Sequence, residues 1–134
     1  MASSQQPLVL CNQLNTRALS PSQLAYLGDS VYELFVRRYY LLPHQRIQNY
    51  HQQVVSQVRA ETQAIYLAHL WPKLSPAEQE VVKRGRNGAG RVPRKLNPKI
   101  YQEASGLETL LGQLYLDNPT RLAELLAQIP WPHF

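Results

Sequence analysis

The chain is poor in the residues that staple or anchor a protein. Its 134 residues hold one cysteine, Cys11, so an internal disulfide or a paired-cysteine zinc site is excluded, and an intracellular chain resting on its own core is expected. Met1 to Pro7 combine no basic start with an apolar stretch, so no secretory signal is expected. No apolar run is long enough to span a bilayer, which argues against a membrane role. Strand signals are also missing: there is no sustained two-residue alternation bounded by hairpin turns, and no internal repeat. Acidic residues are scarce, nine against 14 lysines and arginines. The resulting net charge of +5 favours an anionic partner without separating nucleic acid from acidic protein or membrane surface.

Helix signals fill the space that these absences leave. Ser20-Pro21-Ser22-Gln23 has a capping serine, a proline at the first helical position and a glutamine three residues on, which starts a helix at Pro21. Leu24, Leu27, Val31, Leu34, Phe35 and Leu42 then form an apolar, core-packed stripe ended by Pro43. Asn49 with Gln52 caps a second helix predicted to run through Leu70 until Trp71-Pro72 closes it. Ser75-Pro76-Ala77-Glu78 opens a shorter one to about Arg86. Glycines and prolines between Asn87 and Pro98 predict irregular backbone. A helix from Pro98 to about Leu116 and a last one after Asn118-Pro119 complete a single all-α domain over residues 20–130, preceded by a polar extension over 1–19.

Two carboxylates stand out for their surroundings. Gly28 lies inside an otherwise good helix, where glycine costs about 1 kcal/mol against alanine, so a close backbone approach is expected there. Asp29 follows it, and Glu33 lies one turn further, within reach of Arg37. Glu108 interrupts the leucine-rich stretch Leu107 to Leu116, with Ala104, Ser105 and Gly112 as helical neighbours. On spacing alone, a solvated charged face is the favoured reading of both sites. Phosphodiester hydrolysis needs an activated water and a Lewis acid on the phosphate, which carboxylate-bound magnesium supplies. Asp29 and Glu108 are the best ligand pair that the nine acids offer.

Basic residues concentrate where acids vanish. Lys83, Arg84, Arg86, Arg91, Arg94 and Lys95, with Asn87 among them, fall in a stretch from Glu80 to Glu103 without an acid between. A basic loop over about 83–97 is suited to sequence-independent, salt-sensitive contact with phosphates. Few aromatics interleave, which favours a duplex over stacked single strands. His44, His51, His69 and His133 show no metal-ligand spacing and are expected to face solvent or serve structure, with His51 kept as a candidate neighbour of the site.

Leu27-Gly28-Asp29-Ser30 together with Leu107-Glu108-Thr109-Leu110-Leu111-Gly112 resembles the paired signature of ribonuclease III catalytic domains. Leu24 to Glu33, Lys83 to Asn87 and Val58 to Ala64 look like the Mini-III branch of that family, which lacks the usual double-stranded-RNA-binding domain. The resemblance covers roughly Ser20 to Asp117. It implies a homodimeric helical bundle that lays double-stranded RNA across a valley, with magnesium, or manganese in its place, at Asp29 and Glu108. It also implies maturation of the large-subunit ribosomal RNA precursor, a ribosomal protein as accessory partner, and a place in the bacterial cytoplasm or a plastid. The chain departs from longer family members at Ala25 and Ser105, where those carry acids, and Glu33 is the candidate supplement. Those departures keep open a catalytically silent RNA-binding dimer. A protein-interaction dimer without an RNA role is the third alternative.

Overall fold

The computed structural model describes residues 16–134, so most of the expected N-terminal extension lies outside the described residues. Six α-helices follow a 3₁₀ turn at Thr16–Ala18: α1 (Pro21–Tyr39), α2 (Ile47–Val58), α3 (Ala60–Leu70), α4 (Pro76–Asn87), α5 (Pro98–Asp117) and α6 (Pro119–Ala127). Among the described residues there is no strand, and no helix is long and apolar enough to cross a membrane.

The helix starts follow the caps. Ser20 and Ser75 each close a full capping box, and the Asn97 and Asn118 side chains accept from the first amides of α5 and α6. Each cap contributes about 1 kcal/mol against alanine. Arg121 of α6 fastens its helix to the start of α4, reaching Glu78 at 2.8 Å and the Lys73 carbonyl at 2.9 Å.

At the centre runs α5, with α1, α3, α4 and α6 packed around it. Nine of its residues, from Ala104 to Leu114, are buried, so it is enclosed on most sides rather than amphipathic. The far end of the core is closed by Trp131, whose ring lies 5.3–5.9 Å from those of Tyr66, Phe35, Tyr39 and Tyr32. Its indole N–H donates to the Leu126 carbonyl at 2.9 Å, which satisfies the one polar atom that burial would otherwise strand.

Two sequence expectations need correction. The second predicted helix is two, because the backbone breaks at Arg59 (φ −73°, ψ 157°) and α2 starts at Ile47 with no side-chain cap from Asn49. A break should orphan the last carbonyls of α2, yet side chains from elsewhere take all three. Thr62 Oγ1 donates to the Ser56 carbonyl (2.7 Å), the Tyr32 hydroxyl to Gln57 (2.6 Å) and Gln63 Nε2 to Val58 (2.9 Å). Periodicity carries no trace of such tertiary partners.

The stripe on α1 is also not the one expected. The helix ends at Tyr39, Leu42 is 75% exposed and Leu34 is 63% exposed. The face turned inward is Leu24, Gly28, Tyr32 and Val36, at a strict spacing of four. Leu27, Val31, Leu34 and Phe35 lie to one side, where with Leu122 and Leu126 they line an apolar trough of about 330 Å³. A glycine sets the core face of α1, and an apolar pattern does not register it.

Candidate active site

The site begins with the crossing of α1 and α5. A methyl group placed on Gly28 would lie 1.8 Å from the Glu108 carbonyl oxygen, and one on Gly112 would lie 2.0 Å from the Leu24 carbonyl oxygen. Real Cβ atoms do not approach backbone so closely, so only glycine at both positions lets the two helices touch backbone to backbone. Asp29, next along from Gly28, is thereby carried to Glu108, 79 positions later in the chain.

The two carboxylates differ in setting. Asp29 is exposed, whereas Glu108 is partly buried against α3. Burial first, and the adjacent charge of Asp29 second, push the Glu108 carboxyl up to about 8, while a hydrogen bond from Gln63 pulls the other way. Gln63 Nε2 lies 3.3 Å from Glu108 Oε2. Two negative charges are thus disfavoured this close together, and a divalent cation that displaces the proton would relieve the pair. The donor set fits magnesium better than zinc. Among the described residues no three His, Cys, Asp or Glu side chains converge, and magnesium takes one or two carboxylates and fills its remaining positions with water and substrate phosphate.

Above the pair opens a cleft of about 440 Å³, bounded by the first half of α1, the end of α4 and the middle of α5. Ala25 and Ser105, small residues, line it and leave it roomy. Tyr26 and Tyr101 stand in its wall, and sequence reasoning singled out neither. Where α4 ends, the Gly88 carbonyl accepts from Ser22 Oγ at 3.1 Å, which ties the root of the basic segment to the start of α1.

The basic residues divide. Lys83 and Arg84 are exposed on α4, as are Asn87 at its end and Arg91, Arg94 and Lys95 in the irregular segment that follows. Arg86 turns inward instead: its guanidinium makes a two-pronged pair with Glu103 of α5 and lies 4.9 Å from the centre of the Trp71 ring. It fastens α4 to α5 rather than standing free for phosphate. Glu33 pairs with Arg37 and does not line the cleft. His44, His51, His69 and His133 are all exposed, and none lines the cleft. Gln63 was not singled out either, because its role depends on contacts with α2 and α5 that its own neighbours in sequence do not reveal.

Paired carboxylates at a helix crossing, under an open cleft beside the end of a helix that carries exposed cations, suit a phosphodiester-cleaving nuclease. Residues 22–119 match the family model for the ribonuclease III domain. Over 116 residues the chain is 57% identical to the Mini-ribonuclease 3 of Synechocystis, covering 87% of this chain and 81% of that one. Identity is likewise 57% to the Mini-ribonuclease 3 of Synechococcus, over 85% of this chain and 83% of that one. A crystal structure of a Fusobacterium nucleatum protein superposes with a TM-score of 0.77 at 28% identity, covering 86% of this chain and 94% of the other. The chain belongs to the ribonuclease III family and is an endoribonuclease of that type. The family acts on double-stranded RNA and dimerises. Among the described residues there is one catalytic-type helical domain and no separate double-stranded-RNA-binding domain.

Proposed function

We propose that the chain is a magnesium-dependent endoribonuclease, with manganese able to substitute, that cuts double-stranded RNA as a homodimer and matures the large-subunit ribosomal RNA precursor. The observation that carries the reading is the meeting of Asp29 and Glu108 across the Gly28–Gly112 crossing, beneath an open cleft. Asp29 and Glu108 would hold the cation, which supplies an activated water and charge neutralisation on the scissile phosphate. Glu108, set deeper, fixes the position of the site relative to the core. Asp29, at the solvent side, meets the incoming strand. Lys83, Arg84, Arg91, Arg94 and Lys95 hold flanking phosphates, so affinity is independent of sequence and falls with salt.

The apolar trough beside α1 supports the homodimer, since Leu34 and its neighbours present a hydrophobic strip that a second copy of α1 would cover. Two copies would place two cleavage sites along one duplex. The ribosomal precursor rests on the likeness to the Mini-III branch, and a ribosomal protein that presents the RNA is the accessory partner consistent with it. The same substrate puts the enzyme in the bacterial cytoplasm or a plastid, where that RNA is made.

The test is cleavage of a long RNA duplex and of its separated strands, with and without magnesium, by the wild type and Asp29→Asn. Cutting of the duplex alone, dependent on magnesium and reduced by more than about 100-fold in the variant, is expected. Equal cleavage by the variant would remove Asp29 from the mechanism.

A further inference from the structure

Beyond the two carboxylates, one buried polar side chain at the site has no part in the mechanism above. Gln63 of α3 is 2% exposed. A primary amide has two N–H donors, and its Nε2 has two acceptors within reach: the Val58 carbonyl at 2.9 Å and Glu108 Oε2 at 3.3 Å. The first is a carbonyl set free by the break between α2 and α3. Reversing the amide would turn its oxygen toward a carbonyl and a carboxylate, so the acceptors themselves fix its orientation.

The other end of the amide has no such company. Gln63 Oε1 is buried with no hydrogen-bond partner. An acceptor stranded in this way is a net cost to folding. Methionine would fill the same space without that cost but would leave the Val58 carbonyl and Glu108 without their donor, so what the amide contributes lies at its nitrogen. Because Glu108 has three side-chain torsions, burial alone leaves the direction of its carboxylate open; a donor anchored to the backbone closes that choice.

We propose that Gln63 is a positioning residue for the nuclease reaction: it clamps one oxygen of Glu108 to the α2–α3 junction and leaves the other oxygen directed at Asp29 and the cation they share. The inference rests on the proposed function. It also gives the break at Arg59 a purpose, since a continuous helix would have used the Val58 carbonyl in its own ladder and left Gln63 without its anchor.

The experiment measures manganese binding by titration calorimetry on RNA-free wild type and Gln63→Met, with thermal unfolding and steady-state cleavage alongside. The dissociation constant for manganese should rise by about tenfold or more, the range seen when a partner of a metal ligand is removed. The kcat should fall at fixed magnesium while KM for the duplex holds. A purely structural glutamine would change the melting temperature and leave metal affinity alone, and that result overturns the proposal. Should Gln63→Met fail to fold, the wild type decides: the side-chain Nε2 resonances of Gln63 should shift when magnesium is added, and stationary resonances overturn the proposal equally. A wild type that neither binds manganese nor cuts duplex overturns the function and this role together. A wild type that does both, beside an unaltered Gln63→Met, overturns this role alone.

Discussion

At the crossing of α1 and α5 there is no free space, whereas the segment from Gly90 to Asn97 is mostly exposed. A methyl group on Gly28 collides with backbone at 1.8 Å, while one on Gly90 meets nothing within 4 Å. Gly90 is instead required by its left-handed backbone, φ 75°. The first glycine holds two carboxylates together across the core, and the second lets a cationic strap turn in solvent. Chemistry that needs sub-ångström placement sits on the helix contact with the least freedom. On the proposed function, the charge that would contact phosphate sits instead on exposed, irregular backbone.

The largest expected effect comes from disturbing the rigid side of that comparison. Gly28→Ala forces α1 and α5 apart by an ångström or more, because the obstacle is backbone and cannot rotate away. Destabilisation should exceed the roughly 1–3 kcal/mol of ordinary overpacking. A misplacement of that size also costs on the order of 100-fold in rate. Thermal unfolding and cleavage should therefore fall together, and a Gly28→Ala protein with wild-type melting and activity would show that the crossing does not set the site.

A smaller effect separates the two carboxylates from their surroundings. Without metal, Glu108 titrates near 8 in the folded chain against 4.5 as its ordinary value, through burial and then the charge of Asp29. Its folded value is the raised one, so its contribution to stability is complete below about 4.5 and is lost as pH rises through about 8. Glu108→Gln cannot titrate. In chelator, wild type should lose at least about 1 kcal/mol relative to Glu108→Gln across that window, or roughly 3 °C in melting temperature. Magnesium should close the gap at the alkaline end. Parallel melting curves at every pH would mean that the pair is not strained.

How much of this was legible in the sequence follows from where each determinant lies. Gly28 announced a close approach because a glycine inside a good helix is a local anomaly, and Glu108 stood out against the leucines around it. The capping boxes at Ser20 and Ser75 marked two helix starts and the prolines Pro98 and Pro119 two more, because each is a signal read over three or four residues. What escaped was non-local. The break at Arg59 is held by Thr62, Tyr32 and Gln63, two of them on another helix from the carbonyls they satisfy and one across the core. The inward face of α1 is set by what Gly28 touches on α5, so Leu34 and Leu42 fit the core in an apolar pattern and stand exposed in the fold. Arg86 looked like its neighbours Arg84 and Arg91 because Glu103 and Trp71, which claim it, are 17 and 15 residues away.

That last distinction yields the finest test, since it splits one run of like charges by function. Arg91→Ala with Arg94→Ala removes exposed cations that make no ion pair among the described residues, so melting should stay within about 0.5 kcal/mol of wild type. Binding to duplex RNA should weaken across sequences, and the slope of log affinity against log salt should flatten by about 1 for each phosphate that is no longer neutralised. Arg86→Ala should do the reverse. The pair with Glu103 is partly buried, with side chains 30% and 21% exposed, and the guanidinium also faces Trp71. Its loss should destabilise by about 1–2 kcal/mol, combining a partly screened ion pair with the ring contact, and leave the salt slope as it was. Arg86→Lys keeps the charge but not the planar fork, so it should recover little of the stability. If Arg86→Ala instead flattens the salt slope and spares the melting temperature, Arg86 belongs with the strap, and the boundary between rigid and adaptable halves of the cleft lies inside α4 rather than at its end.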